Sequence, residues 1–509
     1  MMSRMSRLWH RISAFRAQRY DRLPLEEHEL RSPGNPGSPL KERPSSSSGL
    51  WPWAIVLTGI AFIIWAFSRV YSIEHVQPSK SCDSIDEGYR CSPNISHFWG
   101  QYSLYFSVPS EIPPEPPKGC SITFAQVLSR HGGRDPTFGK SIWYNYTINK
   151  IHQNTKEYND EFATLADYKY TLGADQLTAA GRRQMVNSGI RFYRFYEALA
   201  SKHVPFVRSS GQQRVIESGE KWLEGFGKAK NDGKPTPEMV IISEDEGSNN
   251  TLSHGLCTAF EDSHTGSAAQ AAWAGIFIPP IQENVNSHLV GADLTQSEVI
   301  YLMDLCPFET VAHPTAKVSD ICGLFSEKEW QQYDYYQSLG KYYGYADGNP
   351  LGATQGAGFV NELIARMTGK PVEDETCTNH TLNSNSKTFP LDRPLYADFS
   401  HDNDMSSIFS AFGLYNSTLP LSNTTLETSK DTKGYAASWT VPFAARAYFE
   451  KMMCDGEEEE FVRIIVNDRV MPLSYCDGDE HGRCKLSKFV ESMAFSQAGG
   501  HWDQCFVKE

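Results

Sequence analysis

Residues 122–136 read ITFAQVLSRHGGRDP, and this stretch decides the fold. Ile122 to Ser129 is a near-continuous apolar run of strand length, the pattern of a strand buried on both faces. It ends in Arg130-His131-Gly132-Gly133-Arg134-Asp135-Pro136. Loops at the carboxyl edge of such a strand are where α/β enzymes bind ligands. Two guanidiniums and an imidazole within five residues make a concentrated anion site, and the paired glycines suit a tight turn. His131 is the candidate nucleophile. Imidazole attacks phosphorus without first losing a proton from oxygen, provided arginines neutralise the phosphoryl oxygens. A lone Arg-His-Gly reads more plainly as a charged surface loop. The longer R-H-G-x-R-x-P fixes five residues, and its chance occurrence in this chain is on the order of 10⁻⁴.

Two further junctions share the design. Val204-Pro205-Phe206-Val207 predicts a short strand, Arg208-Ser209-Ser210-Gly211 a turn, and Val215, Ile216, Trp222, Leu223 and Phe226 a helix. Arg208 is thereby expected at a strand end, like Arg130. Leu395 to Ser400 (LYADFS) alternates as a strand and runs into His401-Asp402-Asn403-Asp404, ahead of a helix marked by Met405, Ile408, Phe409 and Phe412. A polar cluster at a helix N-terminus meets an anion or caps the helix. Asp402 is placed to protonate a departing alkoxide, a role that calls for a raised pKa and predicts an acid optimum. Asp398, His401, Asp402 and Asp404 also admit a metal-ligand reading, although no second ligand cluster accompanies them.

The charge of −14 is unevenly spread. Residues 1–49 carry nine Lys/Arg against five Asp/Glu, which leaves a net −18 for the rest and argues against nucleic acid as a partner. Leu50 to Phe67 (LWPWAIVLTGIAFIIWAF) is uncharged, flanked by aromatic residues and long for a signal-peptide core. Residues 50–68 are therefore expected to be a transmembrane signal anchor, with 1–49 a basic cytosolic tail and 69–80 a stalk. The basic leader places 81–509 outside the cell or in a lumen, as a single-pass type II protein. Sequons starting at Asn94, Asn145, Asn249, Asn379, Asn416 and Asn423 all fall on that side. So do all eleven cysteines, which lack zinc-site spacing and suit disulfides; the spacings 82/91, 306/322 and 476/484 suggest local bridges.

Arg130-His131-Gly132-x-Arg134-x-Pro136, Val207 to Gly211 (VRSSG) and His401-Asp402 together resemble the histidine acid phosphatases, specifically the fungal phytases. The likeness also takes in Cys82 to Tyr89, Asn361 to Arg366 and Val466 to Val470, about residues 81–507 in all. It implies an α/β fold with a twisted mixed sheet, flanking helices and a mostly helical insertion roughly within 140–390. It further implies an acid phosphomonoesterase, acting on myo-inositol hexakisphosphate (phytate) or more broadly, through a phosphohistidine and without a metal or other cofactor. On that likeness His131 is the nucleophile and Asp402 the proton donor. Arg130, Arg134, Arg208 and His401 would hold the phosphate, with Lys140 and Lys341 as outer contacts. The implied disulfides are Cys82–Cys91, Cys120–Cys454, Cys257–Cys505, Cys306–Cys322 and Cys476–Cys484, leaving Cys377 free. Gly133 and Asp135 stand where the family usually has Ala and Tyr, and Asp404 where relatives often have Gly. Asp135 is expected to lower preference for phytate over simple monoesters. A binding protein on the same fold, with turnover lost, is the alternative.

Overall fold

The apolar run is strand β1 (Cys120–Arg130) of a computed structural model that describes residues 82, 84–91 and 94–506. The described residues fall within one unit, Pro78–Glu509. The expected tail, the anchor over residues 50–68 and the stalk lie outside the described residues. Among the described residues no helix is long and apolar enough to cross a membrane.

Strand β1 sits inside an eight-stranded mixed sheet. Its other strands are β2 (Phe206–Ser210), β3 (Met239–Ile242), β4 (Leu395–Ser400), β5 (Arg446–Cys454), β6 (Phe461–Val466), β7 (Arg469–Val470) and β8 (Arg483–Lys485). They run in the order β8-β6-β5-β1-β4-β2-β3, with β7 on β6. β1, β4, β2 and β3 are mutually parallel, whereas β5 turns antiparallel against β1. The parallel register, Arg130 opposite Ser400 and Ser209 opposite Phe399, brings the carboxyl ends of β1, β4 and β2 to one edge. All three predicted junctions therefore open onto the same crevice.

The principal helices are α1 (Phe138–Asn154), α2 (Ala179–Phe195), α3 (Gln213–Lys230), α4 (Thr265–His288), α5 (Gln296–Ala312), α6 (Glu327–Tyr345), α7 (Gly352–Thr368) and α8 (Asp402–Ala411). Ala125 and Val127 of β1 and Ala397 and Phe399 of β4 pack with Phe192, Trp222 and Phe226 of α2 and α3. Phe124, Leu128 and Tyr396 face the opposite way, with Phe359 of α7 and Ile408 of α8. Alternate side chains thus feed two apolar layers, which is why β1 reads as a near-continuous apolar run. The expected helical insertion is interrupted, because β2 and β3 return to the sheet within residues 140–390.

The five disulfides join the pairs that the family likeness implies, and Cys377 is buried and free. The paired glycines work differently from the expected tight turn. A Cβ on Gly132 would lie 2.4 Å from the Gly181 carbonyl oxygen, and one on Gly181 would lie 2.0 Å from that of Gly133. They let the loop after β1 press onto the first turn of α2, whose Thr178 cap accepts from the Gly181 N–H at 3.1 Å.

Candidate active site

Each strand end delivers one part of the site. From β1, the Arg130 side chain is fully buried, donates to the carbonyls of Gln101 and Val441, and lies 4.6 Å from the Phe443 ring. His131 follows, and its Nδ1 donates to the Gly132 carbonyl at 2.8 Å, which leaves the lone pair on Nε2. Its ring lies 5.8 Å from that of His401. At the end of β4, His401 caps α8 and its Nε2 meets Glu244 at 2.9 Å. Asp402 opens that helix, 3.3 Å from Arg130 Nη2 and in contact with Lys341 Nζ from α6.

His401 and Asp402 open onto a cavity of about 580 Å³ whose walls also include Arg134, Lys140, Arg214, His254 and Lys341. The buried Arg130 and His131 adjoin it through Asp402 and His401. Several buried guanidinium nitrogens make no hydrogen bond with the described residues: Nε of Arg130, Nε of Arg134, Nε of Arg214, and Nη2 of Arg130, which is ion-paired with Asp402. Buried donors are rarely left so, and convergent ones are preorganised for the oxygens of an anion.

One assignment from the sequence needs correction. Arg208 does not reach this cavity. It lies within β2 rather than at its end, directly opposite Asp398 of β4. Its side chain is 2% exposed and donates to Asp398 at 2.9 Å and Glu362 at 2.7 Å. A charge can interrupt an apolar strand here because the neighbouring strand carries its counter-ion at the same register. The arginine at the cavity is Arg214, in the first turn of α3, 3.5 Å from Asp175. A single arginine following the Ser209-Ser210-Gly211 turn was the available signal. Glu244 and His254 lie in the loop after β3 and carried none.

Lys140 reaches the cavity beside Asp304 at 3.3 Å. Lys341 lines it too, with its ammonium engaged by Asp402 and, at 2.5 Å, by Asn403. The carboxylate of Asp135 turns away, accepting from the Gly173 N–H at 3.2 Å and lining a neighbouring cavity with Glu309. The four residues of the metal-ligand reading are parted: Asp398 faces Arg208 and Arg366, while Asp404 accepts from the His254 N–H at 2.6 Å.

Residues 121–467 match the histidine phosphatase superfamily (branch 2). The chain belongs to this family. It is 51% identical over 464 residues to Phytase A of Aspergillus oryzae, covering 89% of this chain and all of that one. Phytase A of Aspergillus fumigatus is 53% identical over 448 residues, 86% of this chain and 96% of that one. The solved phytase of D. castellii, at 23% identity and a TM-score of 0.66, shares the fold over 82% of this chain and 88% of its own. The chain is a phosphoric monoester hydrolase.

The charges of this phosphatase suit that class. Burial, with Arg130, Arg214 and Arg134 close by, pushes the His131 imidazolium well below its usual pKa, so the ring stays neutral and nucleophilic in acid. Burial alone would raise Asp402, yet Arg130 and Lys341 hold it well below the usual carboxyl range. Burial likewise opposes ionisation of Glu244, but its bonds to His401, Ser210 and the Gln212 N–H bring it to about 2. The raised Asp402 pKa expected from the sequence is absent because the free carboxylate sits between two cations.

Proposed function

We propose that this chain is a membrane-anchored, extracytoplasmic acid phosphatase that removes phosphate from myo-inositol hexakisphosphate through a phosphohistidine. The observation that carries the reaction is a neutral His131 beside Arg130, Arg134 and Arg214, each with a buried guanidinium Nε that has no hydrogen-bond partner among the described residues. The names of the most similar relatives support the substrate. The anchor rests on the uncharged residues 50–68 behind a basic leader, and the five disulfides favour an oxidising compartment.

In the first step His131 Nε2 forms a bond to phosphorus as the ester P–O bond breaks in line. Arg130, Arg134, Arg214 and His401 neutralise the phosphoryl oxygens. The leaving oxygen takes a proton from Asp402. Water then attacks phosphorus and gives a proton back to Asp402, and the P–N bond breaks to restore the imidazole. Asp402 begins ionised, so the proton it transfers enters with the substrate as its monoanionic phosphate. Displacement of Lys341 by that phosphate and proximity of the two anions then favour protonation of the carboxyl.

Acid quench during turnover of labelled substrate is expected to leave acid-labile, alkali-stable phosphate on the protein. Its absence, or full activity in His131→Ala, would sink the reading.

A further inference from the structure

A second cavity, of about 650 Å³, lies behind the catalytic loop. Two of its wall residues hold that loop directly. The Ala444 N–H donates to the His131 carbonyl at 3.0 Å, and the Gln184 side chain accepts from the Gly133 N–H at 2.9 Å.

Four arginines line this cavity: Arg90, Arg191, Arg194 and Arg446. Arg446 is 5% exposed, and its guanidinium stacks 3.6 Å from the Tyr105 ring. Its Nε has no hydrogen-bond partner among the described residues, an unusual condition for a buried cation. Arg194 is exposed at the rim and likewise makes no hydrogen bond or ion pair with the described residues. Arg90, exposed, uses its Nε on the Glu87 carbonyl at 2.6 Å.

The wall also holds Asp86, Glu87 and Asp468, and each of them has a partner. Asp468 is bound by Arg191 at 2.7 Å and by the Ser107 hydroxyl at 2.5 Å. Asp86 is engaged by Arg183 and, at 2.9 Å, by Asn187. Arg446 also faces Asp468, so what is left without a hydrogen-bond partner among the described residues is the Arg194 guanidinium and the Nε of Arg446, on a body that is otherwise strongly acidic. Planar guanidiniums at different depths suit the several oxygens of a phosphate group better than a single carboxylate.

We propose that this cavity is a second, non-catalytic phosphate-binding site, built against the back of the loop that carries His131. It takes a phosphate group, either as the free product or on a phosphorylated ring. The proposal concerns binding and does not depend on the identity of the hydrolysed ester.

Equilibrium dialysis of the full chain against labelled inorganic phosphate is expected to show two bound equivalents. Arg194→Glu and, separately, Arg90→Glu are expected to weaken one of them tenfold or more while kcat/KM on a simple aryl phosphate stays within twofold. A single equivalent in the parent, or two undiminished equivalents in both variants, overturns the proposal. Competition with myo-inositol hexasulfate separates the sources. Displacement of both phosphates marks a site that accepts a substituted ring, and displacement of one marks a site for free phosphate.

Discussion

Lys341 and Asp402, on helices α6 and α8, form a direct ion pair at the mouth of the phosphate cradle. The pair sets the protonation state in which the enzyme meets its substrate. Because the carboxylate is ionised at the outset, enzyme and ester together must bring one proton, and the ester supplies it.

The first expectation concerns the alkaline limb of kcat/KM. It should follow the second pKa of the phosphomonoester, about 6, rather than any group of the protein. Two esters whose second pKa values differ by a unit should show limbs displaced by about a unit. Identical limbs would mean that the proton resides on the enzyme.

Lys341→Met should act on the other limb. Loss of the ammonium lets the Asp402 carboxyl rise from its depressed value, so the productive ionised form disappears at a higher pH on acidification. The acid edge of kcat/KM should move upward and the alkaline edge should stay. An unmoved acid edge would dissociate the pair from proton delivery.

Arg214 and Arg208 should separate catalysis from stability. Arg214→Met removes one donor from the cradle and should lower kcat/KM by about 10²- to 10³-fold with little change in unfolding. Arg208→Met leaves Asp398 and Glu362 buried with one cation fewer, Arg366, and should cost about 3–5 kcal/mol of stability. Paired denaturation curves and kinetics on both variants check this. Reversed effects would restore Arg208 to the phosphate.

Much of this site was legible because strand ends are legible. The apolar runs of β1 and β4 break sharply into polar residues, so Arg130, His131, Arg134, His401 and Asp402 could be placed at a sheet edge before any coordinates. Arg208 failed the same reasoning because β2 runs on to Ser210, and a buried arginine in a strand is paired by a residue nearly 200 positions away. Asp398 held the clue, a second charge inside an otherwise apolar strand. Lys341, Glu244 and His254 sit on a helix or in a loop without pattern, and only the tertiary fold brings them to the cavity.

Asp135 should matter less to substrate choice than its position in the motif suggests. Burial raises its pKa, and its carboxylate is directed at the Gly173 backbone instead of the cavity that holds His401. In Asp135→Asn the ratio of kcat/KM for phytate over an aryl phosphate should stay within twofold. A rise above fivefold would show that its charge does repel the more anionic substrate.

His254 offers a test of the charges that frame the cavity. Burial disfavours its charged form, but Asp404 and Glu261, the latter at 2.7 Å, raise its pKa to about 9. A group raised on folding contributes stability that is complete below its unfolded pKa, about 6.5, and is lost as pH rises through the folded value. The shift corresponds to at most about 3 kcal/mol. His254→Gln should therefore cost about 2 kcal/mol at pH 5 and less than about 1 kcal/mol at pH 10, by denaturant unfolding at the two pH values. Equal penalties at both would mean that His254 contributes through packing and hydrogen bonding, and that its charge plays no part in holding α8 against the loop after β3.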